Sequence, residues 1–270
     1  MLMLAEPFKQ LWSGRDPFVE VEALQGEVYR ELEARRTLRT EVDGRAYFVK
    51  IHRGVGWGEI FKNWLTLRAP VLGAAQEWQA IQALTAAGVP TMTAVAFGQR
   101  GRNPATQHSF IITEALAPTI SIEDLSRDWL QSPPDPGFKR ALIAEVARMT
   151  GLMHRAGVNH RDCYICHFLL HTDQPAFPAP PKLSLIDLHR AQIRRRVPRR
   201  WRDKDLAGLT FSALHIGLTR RDQLRFLRDY FQQPLRQILL TEAPLLRHLQ
   251  TRAADLQARF ERKYAAETEH

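Results

Sequence analysis

Apolar and polar positions alternate over short runs near the start of the chain and recur at helical spacing in its second half. Residues 27–32 and 36–42 read as short β segments, Asp43-Gly44 as the tight turn of a hairpin, and 45–51 as the returning strand. Before them, residues 1 to 25 mix proline, glycine and charge and predict no regular element. Trp57, Ile60, Phe61, Trp64 and Leu65 lie at three- to four-residue spacing, which predicts an amphipathic helix with an aromatic stripe, suited to packing on its own sheet or to docking a membrane or partner. A second helix is expected over 73–84, ended by Gly88 and Pro90. Residues 92–97 and 109–113 form a predicted hairpin, after which 114–118 turns from strand to helix pattern. A helix over 138–156 stops at Gly157, a proline-rich loop fills 172–181, and 183–190 reads as a buried strand. Residues 203–265 are amphipathic and helix-forming, broken at Gly217, Pro234 and Pro244. The pattern therefore predicts an α+β protein with a small β-rich part over 1–114 and a larger helical part over 115–270.

At 270 residues and 44% hydrophobic, the chain can bury a sizeable core. Its two cysteines, Cys163 and Cys166, are too few and too close for a disulfide framework, and they point to a reducing compartment, hence the cytoplasm. The start has no basic region before its short apolar run, which argues against a signal peptide. No later run reaches the about 18 apolar residues of a membrane span. The net charge of +9 is unevenly spread, with Arg194, Arg195, Arg196, Arg199, Arg200 and Arg202 in one cluster. Such a block suits an anionic partner, or simply a solvated loop. No recognised nucleic-acid motif accompanies it, so no nucleic-acid partner is expected.

Candidate chemistry concentrates in His160-Arg161-Asp162-Cys163-Tyr164-Ile165-Cys166-His167. It has the form of the H-R-D-x-x-x-x-N catalytic loop of protein kinases, with His167 where Asn would stand. The same letters fit the C-x-x-C-H pattern of haem attachment, which would need export, and a zinc site, for which no second ligand pair closes the shell. Lys50, near the end of a strand, matches the lysine that steadies the ATP phosphates, and Glu77 is placed to be its helix partner. Glu114 and Leu116 fall in the predicted hinge, whose backbone would bind the adenine edge. Asp187, delivered by the strand over 183–190, resembles the metal-binding Asp of D-F-G, with Leu188 and His189 in place of Phe and Gly. In this scheme Asp162 orients an acceptor hydroxyl and takes its proton late, while Asp187 and His167 face Mg²⁺, an ion that prefers oxygen to imidazole. Neither a G-x-G-x-x-G loop nor an A-P-E element is present, so coverage of the triphosphate is unexplained and a dedicated protein kinase is disfavoured.

Three blocks, His160 to Leu170, Ile186 to Gln192 and Val197 to Leu206, resemble the lipopolysaccharide core heptose(I) kinase family, and the resemblance covers nearly the whole chain. It implies a protein-kinase-like two-lobed fold and ATP- and Mg²⁺-dependent phosphorylation of the 4-hydroxyl of the first inner-core heptose. The acceptor would be a membrane-anchored lipopolysaccharide core glycolipid, met peripherally at the inner face of the inner membrane. By motif, Asp162 matches the catalytic Asp, Lys50 and Glu77 the nucleotide pair, Asp187 the metal ligand, and Asp205 the acid that braces the catalytic loop. His167 belongs to the family's own variant of the Asn position, and the arginine block would dock the anionic acceptor. Two alternatives remain: a kinase of the neighbouring Kdo sugar or an aminoglycoside-like acceptor, and a non-catalytic pseudokinase that holds anionic lipid or an acidic protein.

Overall fold

The computed structural model describes residues 1–32, 34–54, 56–58, 73–103, 105–173, 177 and 179–268. Trp57 is exposed, and the other members of the expected aromatic stripe, Ile60, Phe61, Trp64 and Leu65, lie outside the described residues. The chain divides into two compact units that are not contiguous in sequence. One comprises 1–82, 91–116 and 187–191, the other 83–90, 117–186 and 192–270.

The first unit is built on a six-stranded antiparallel sheet. Its strands are β1 (Leu2–Leu4), β2 (Glu27–Leu32), β3 (Arg35–Val42), β4 (Arg45–His52), β5 (Ala94–Arg100) and β6 (His108–Glu114), in the order β1-β5-β6-β4-β3-β2. The β3–β4 turn is the expected one: Asp43 and Gly44 both take positive φ, 50° and 71°, the geometry that matches the twist of a hairpin. Where sequence predicts nothing regular, two short helices, α1 (Phe8–Leu11) and α2 (Pro17–Ala23), place Phe8, Trp12, Phe18 and Val21 against Leu38, Tyr47, Val49, Ile51, Phe110 and Ile112. That apolar layer forms one face of the sheet. Directly paired residues share a face, so the registers Arg35↔His52, Thr37↔Lys50 and Lys50↔Ile111 put Arg35, Thr37, Lys50 and His52 together on the other. Helix α3 (Ala75–Ala86) serves this second face, with Trp78 stacked on Phe97 at 4.8 Å.

The second unit is mainly helical. The long α5 (Pro136–Arg155), after the short α4 (Ile122–Leu125), begins with Asp135 capping the Phe138 N–H and with Pro136 in the first turn, where its missing N–H costs nothing. Helices α6 (Arg199–Ser212), α7 (Arg220–Phe231), α8 (Leu235–Thr241) and α9 (Ala243–Thr268) follow, and their breaks fall near Gly217, Pro234 and Pro244 as the sequence predicts. Ala147, Leu206, Ala207, Tyr230, Leu245 and Leu249 form a core of this unit. Two small sheets hold the loops: β7 (Thr119–Ser121) and β10 (Leu183–Leu185) flank β9 (Phe168–His171), and β8 (Val158–Asn159) pairs with β11 (Gln192–Ile193). After Glu114, then, the chain first makes a strand, β7, before any helix. The expected strand over 183–190 ends at Leu185, and residues 188–190 form a single 3₁₀ turn.

Candidate active site

Lys50 reaches from β4 to Glu77 on α3, with its Nζ 2.6 Å from Oε1. Glu77 is only 1% exposed and Lys50 15%, so the pair sits in a largely dry setting where charge-assisted hydrogen bonds are strong. The second oxygen of Glu77, Oε2, is buried without a hydrogen-bond partner among the described residues. Glu114 closes β6; its N–H is donated to the Thr93 carbonyl and that of Ala115 to the Ala46 carbonyl, which ties the start of the expected hinge to the sheet, and Leu116 is half-buried.

Asp187 has left-handed backbone angles, φ 63° and ψ 50°, a conformation that Asp tolerates better than most residues and that clusters at functional sites. Its Oδ1 lies 2.5 Å from Nδ1 of His189, and Leu188 between them is fully buried. The residues that make this D-F-G look degenerate are therefore a core anchor and an imidazole that orients the carboxylate.

In the second unit the loop carrying Asp162 is held from α6. Asp205, 1% exposed, accepts the backbone N–H of His160 at Oδ2, 2.6 Å, and that of Arg161 at Oδ1, 2.8 Å. His154 Nε2 lies 3.2 Å from the same carboxylate, with its Nδ1 2.7 Å from the Tyr230 hydroxyl. Arg161 takes a positive φ of 75°, which sharpens the turn just before Asp162. A β-carbon on Gly208 would stand 2.9 Å from the Cys163 carbonyl, so only glycine lets α6 lie this close to the loop.

His167 Nδ1 is 2.8 Å from the Asp162 carbonyl, an acceptor only, so this nitrogen donates to it. That is how metal-binding imidazoles are commonly set up, one nitrogen donating to a carbonyl and the other facing the ion. His160 stacks on His167 at 5.4 Å and its Nε2 is 2.9 Å from the carbonyl of Ile186. Cys163 is buried and burial pushes its thiol well above the ordinary value, leaving an inert small hydrophobe; Cys166 is half-buried. Among the described residues no group of three or more His, Cys, Asp or Glu is arranged to hold a metal ion.

The arginine block divides. Arg194 is taken up by Asn159 Oδ1 at 2.7 Å and Gln192 Oε1 at 2.8 Å, and Arg202, 16% exposed, by Glu242 at 2.9 Å and Asp203 at 2.8 Å. Arg195, Arg196, Arg199 and Arg200 are exposed, the last with its guanidinium 5.1 Å from the Trp201 ring. The sequence thus brings Lys50 to Glu77 and Asp162 to His167. Asp187 and His167 belong to different compact units.

The sequence profile of the lipopolysaccharide kinase (Kdo/WaaP) family matches residues 19–230. This chain belongs to that family. A Pseudomonas aeruginosa relative named lipopolysaccharide core heptose(I) kinase WaaP is 68% identical over 97% of both chains. An Escherichia coli protein of the same name is 58% identical over 97% of this chain and 99% of its own. A solved structure described as WaaP in complex with acyl carrier protein is 64% identical, covers 95% of this chain and 99% of its own, and superposes with a TM-score of 0.85. The protein-kinase-like fold and the heptose kinase resemblance read from the sequence are thereby borne out. As a kinase, this family member uses ATP.

Proposed function

We propose that this chain transfers the γ-phosphate of ATP to the 4-hydroxyl of heptose I in the lipopolysaccharide inner core. Its near full-length identity to heptose(I) kinases supports the acceptor, and the 2.6 Å Lys50–Glu77 pair is the observation that carries the chemistry. Phosphoryl transfer asks little covalent work of the protein; it asks for fixed cations, an aligned hydroxyl and excluded water. Lys50, held by Glu77, steadies the α- and β-phosphates, while the Glu114 carbonyl and the Leu116 N–H meet the purine edge. By the family resemblance, Asp187, oriented by His189, would offer its carboxylate to Mg²⁺, and His167 would meet that ion through water. When bound, that ion would neutralise the triphosphate and polarise the transferred group.

Asp162 aligns the heptose hydroxyl and accepts its proton late. A carboxylate is too weak a base to ionise a sugar alcohol beforehand, so proton transfer follows loosening of the leaving-group bond. The exposed Arg195, Arg196, Arg199 and Arg200 suit the carboxylates and phosphates of the inner core or an acidic protein. A relative was solved with acyl carrier protein, and we extend that partnership to this chain, whose net charge of +9 favours acidic partners. No described helix is long and apolar enough to cross a membrane, and we place the protein peripherally at the inner face of the inner membrane, where its acceptor is anchored.

The test is transfer from ATP and Mg²⁺ to core lipopolysaccharide that lacks this phosphate, with the product mapped by NMR. Phosphate on the 4-hydroxyl of heptose I is expected, and Asp162→Asn should lower kcat by about 10²–10⁴. Phosphate on Kdo would overturn the acceptor assignment, and an undiminished Asp162→Asn rate would overturn the role of that residue.

A further inference from the structure

The face of the sheet that carries Lys50 holds buried polar groups without a hydrogen-bond partner among the described residues. Arg35 opens β3, directly opposite His52, and Thr37 lies opposite Lys50. Arg35 Nε, Thr37 Oγ1, His52 Nε2 and Glu77 Oε2 are all buried and without a hydrogen-bond partner among the described residues. Buried polar atoms nearly always find partners, so four orphans on and beside one strand pair mark a place completed by something else. Among the described residues no carboxylate comes within ion-pairing distance of the Arg35 guanidinium, although the chain is rich in acids that pair with its other arginines. Burial disfavours its charge, the carboxylates of Glu77 and Asp187 act the other way, and Arg30 acts with the burial. The guanidinium is thus in the field of the two acids that the reading above assigns to nucleotide and metal.

We propose that Arg35 binds the phosphates of ATP and takes the place of the glycine-rich loop that this chain lacks. In protein kinases that loop joins the two strands preceding the lysine strand, and its backbone N–H groups cover the phosphates. Here the corresponding strands are β2 and β3, and the connection between them contains no glycine. A long side chain at the start of β3, on the Lys50 face, supplies from a guanidinium fork what glycine elsewhere lets the backbone supply. Such a fork donates to phosphate oxygens in pairs, and a polyanion would neutralise a cation that no carboxylate of the described residues pairs directly. The assignment rests on the kinase reading, and the experiment separates the two.

Arg35→Met in the full-length protein keeps most of the stem and removes the charge. The Kd for ATP and for ADP, by calorimetry, and the KM for ATP are expected to rise about 10- to 100-fold, while the inhibition constant of adenosine stays as in wild type. The melting temperature without nucleotide should hold or rise, since no ion pair is lost, and the further rise on adding ATP should shrink. Arg35→Lys should recover part of the ATP affinity. Unchanged ATP affinity in Arg35→Met would overturn the proposal, as would a lowered melting temperature with equal losses for adenosine and ATP, which would mark a structural arginine. Wild-type protein that bound no ATP at all would instead remove the nucleotide reading itself.

Discussion

Glu77 and Asp205 are both carboxylates sealed from water, each 1% exposed, and they are held in opposite ways. Asp205 has a main-chain N–H on each oxygen, from His160 and Arg161, with His154 alongside, so the loop it holds is fixed before any substrate arrives. Among the described residues, Glu77 has one ammonium on one oxygen and no donor on the other, amid further unpartnered groups on the same face. The first arrangement is pre-organised by the chain alone. The second leaves one carboxylate oxygen without a partner among the described residues, and on the reading proposed above such a face trades stability of the free protein for nucleotide affinity.

The largest test of this contrast is Asp205→Asn. It places an NH₂ group where two backbone donors converge, and breaking such a buried charged network is expected to cost about 3–5 kcal/mol in urea unfolding, with kcat falling as the loop loosens. A loss below 1 kcal/mol would refute the view that this acid fixes the loop.

The next effect is set by pH. His52 is 2% exposed, and burial, helped by Arg35, Lys50 and His189, holds its imidazole down to about 3. The unfolded chain binds a proton near pH 6.5 and the folded one does not. Stability is therefore full above that value and falls as pH drops from about 6.5 toward 3, by about 2 kcal/mol at pH 5. Urea unfolding at pH 7 and pH 5 should show this loss in wild type and a flatter response in His52→Gln. Equal slopes in both would mean that His52 does not govern the acid limb.

The smallest change in stability is expected from Glu77→Gln, which keeps the shape and one acceptor for Lys50. Less than about 1 kcal/mol should be lost in unfolding, against about a tenfold rise in KM for ATP. A loss as large as that of Asp205→Asn would erase the distinction between the two acids.

Much of this organisation is legible in the sequence where local rules act. Asp43-Gly44 fixes its turn by backbone sterics, and the strands around it carry a clear alternation. Asp162, Lys50, Glu77 and Asp187 stand out because kinase chemistry demands particular side chains at particular spacings. What stays hidden is decided by distant partners. Phe8–Leu11 and Pro17–Ala23 are too short to display a period, and they are helices because their apolar residues find the sheet. The charge run cannot tell that Arg202 meets Glu242, 40 residues further along the chain, while Arg199 meets solvent. His189 looks like a lost glycine until the left-handed turn at Asp187 brings the two side chains together. Arg35 gives no motif at all; only strand register sets it beside Lys50's face.

Along β4 the two uses of the sheet interleave residue by residue: Tyr47, Val49 and Ile51 enter the apolar layer, while Lys50 and His52 point to the opposite side. Shifting that strand by a single position would drive an ammonium into oil and strand a valine where Lys50 now meets Glu77. Gaining or losing one codon at Asp43-Gly44 is thus a harsher lesion than most missense changes in the core, because it swaps the two faces wholesale instead of trimming one contact.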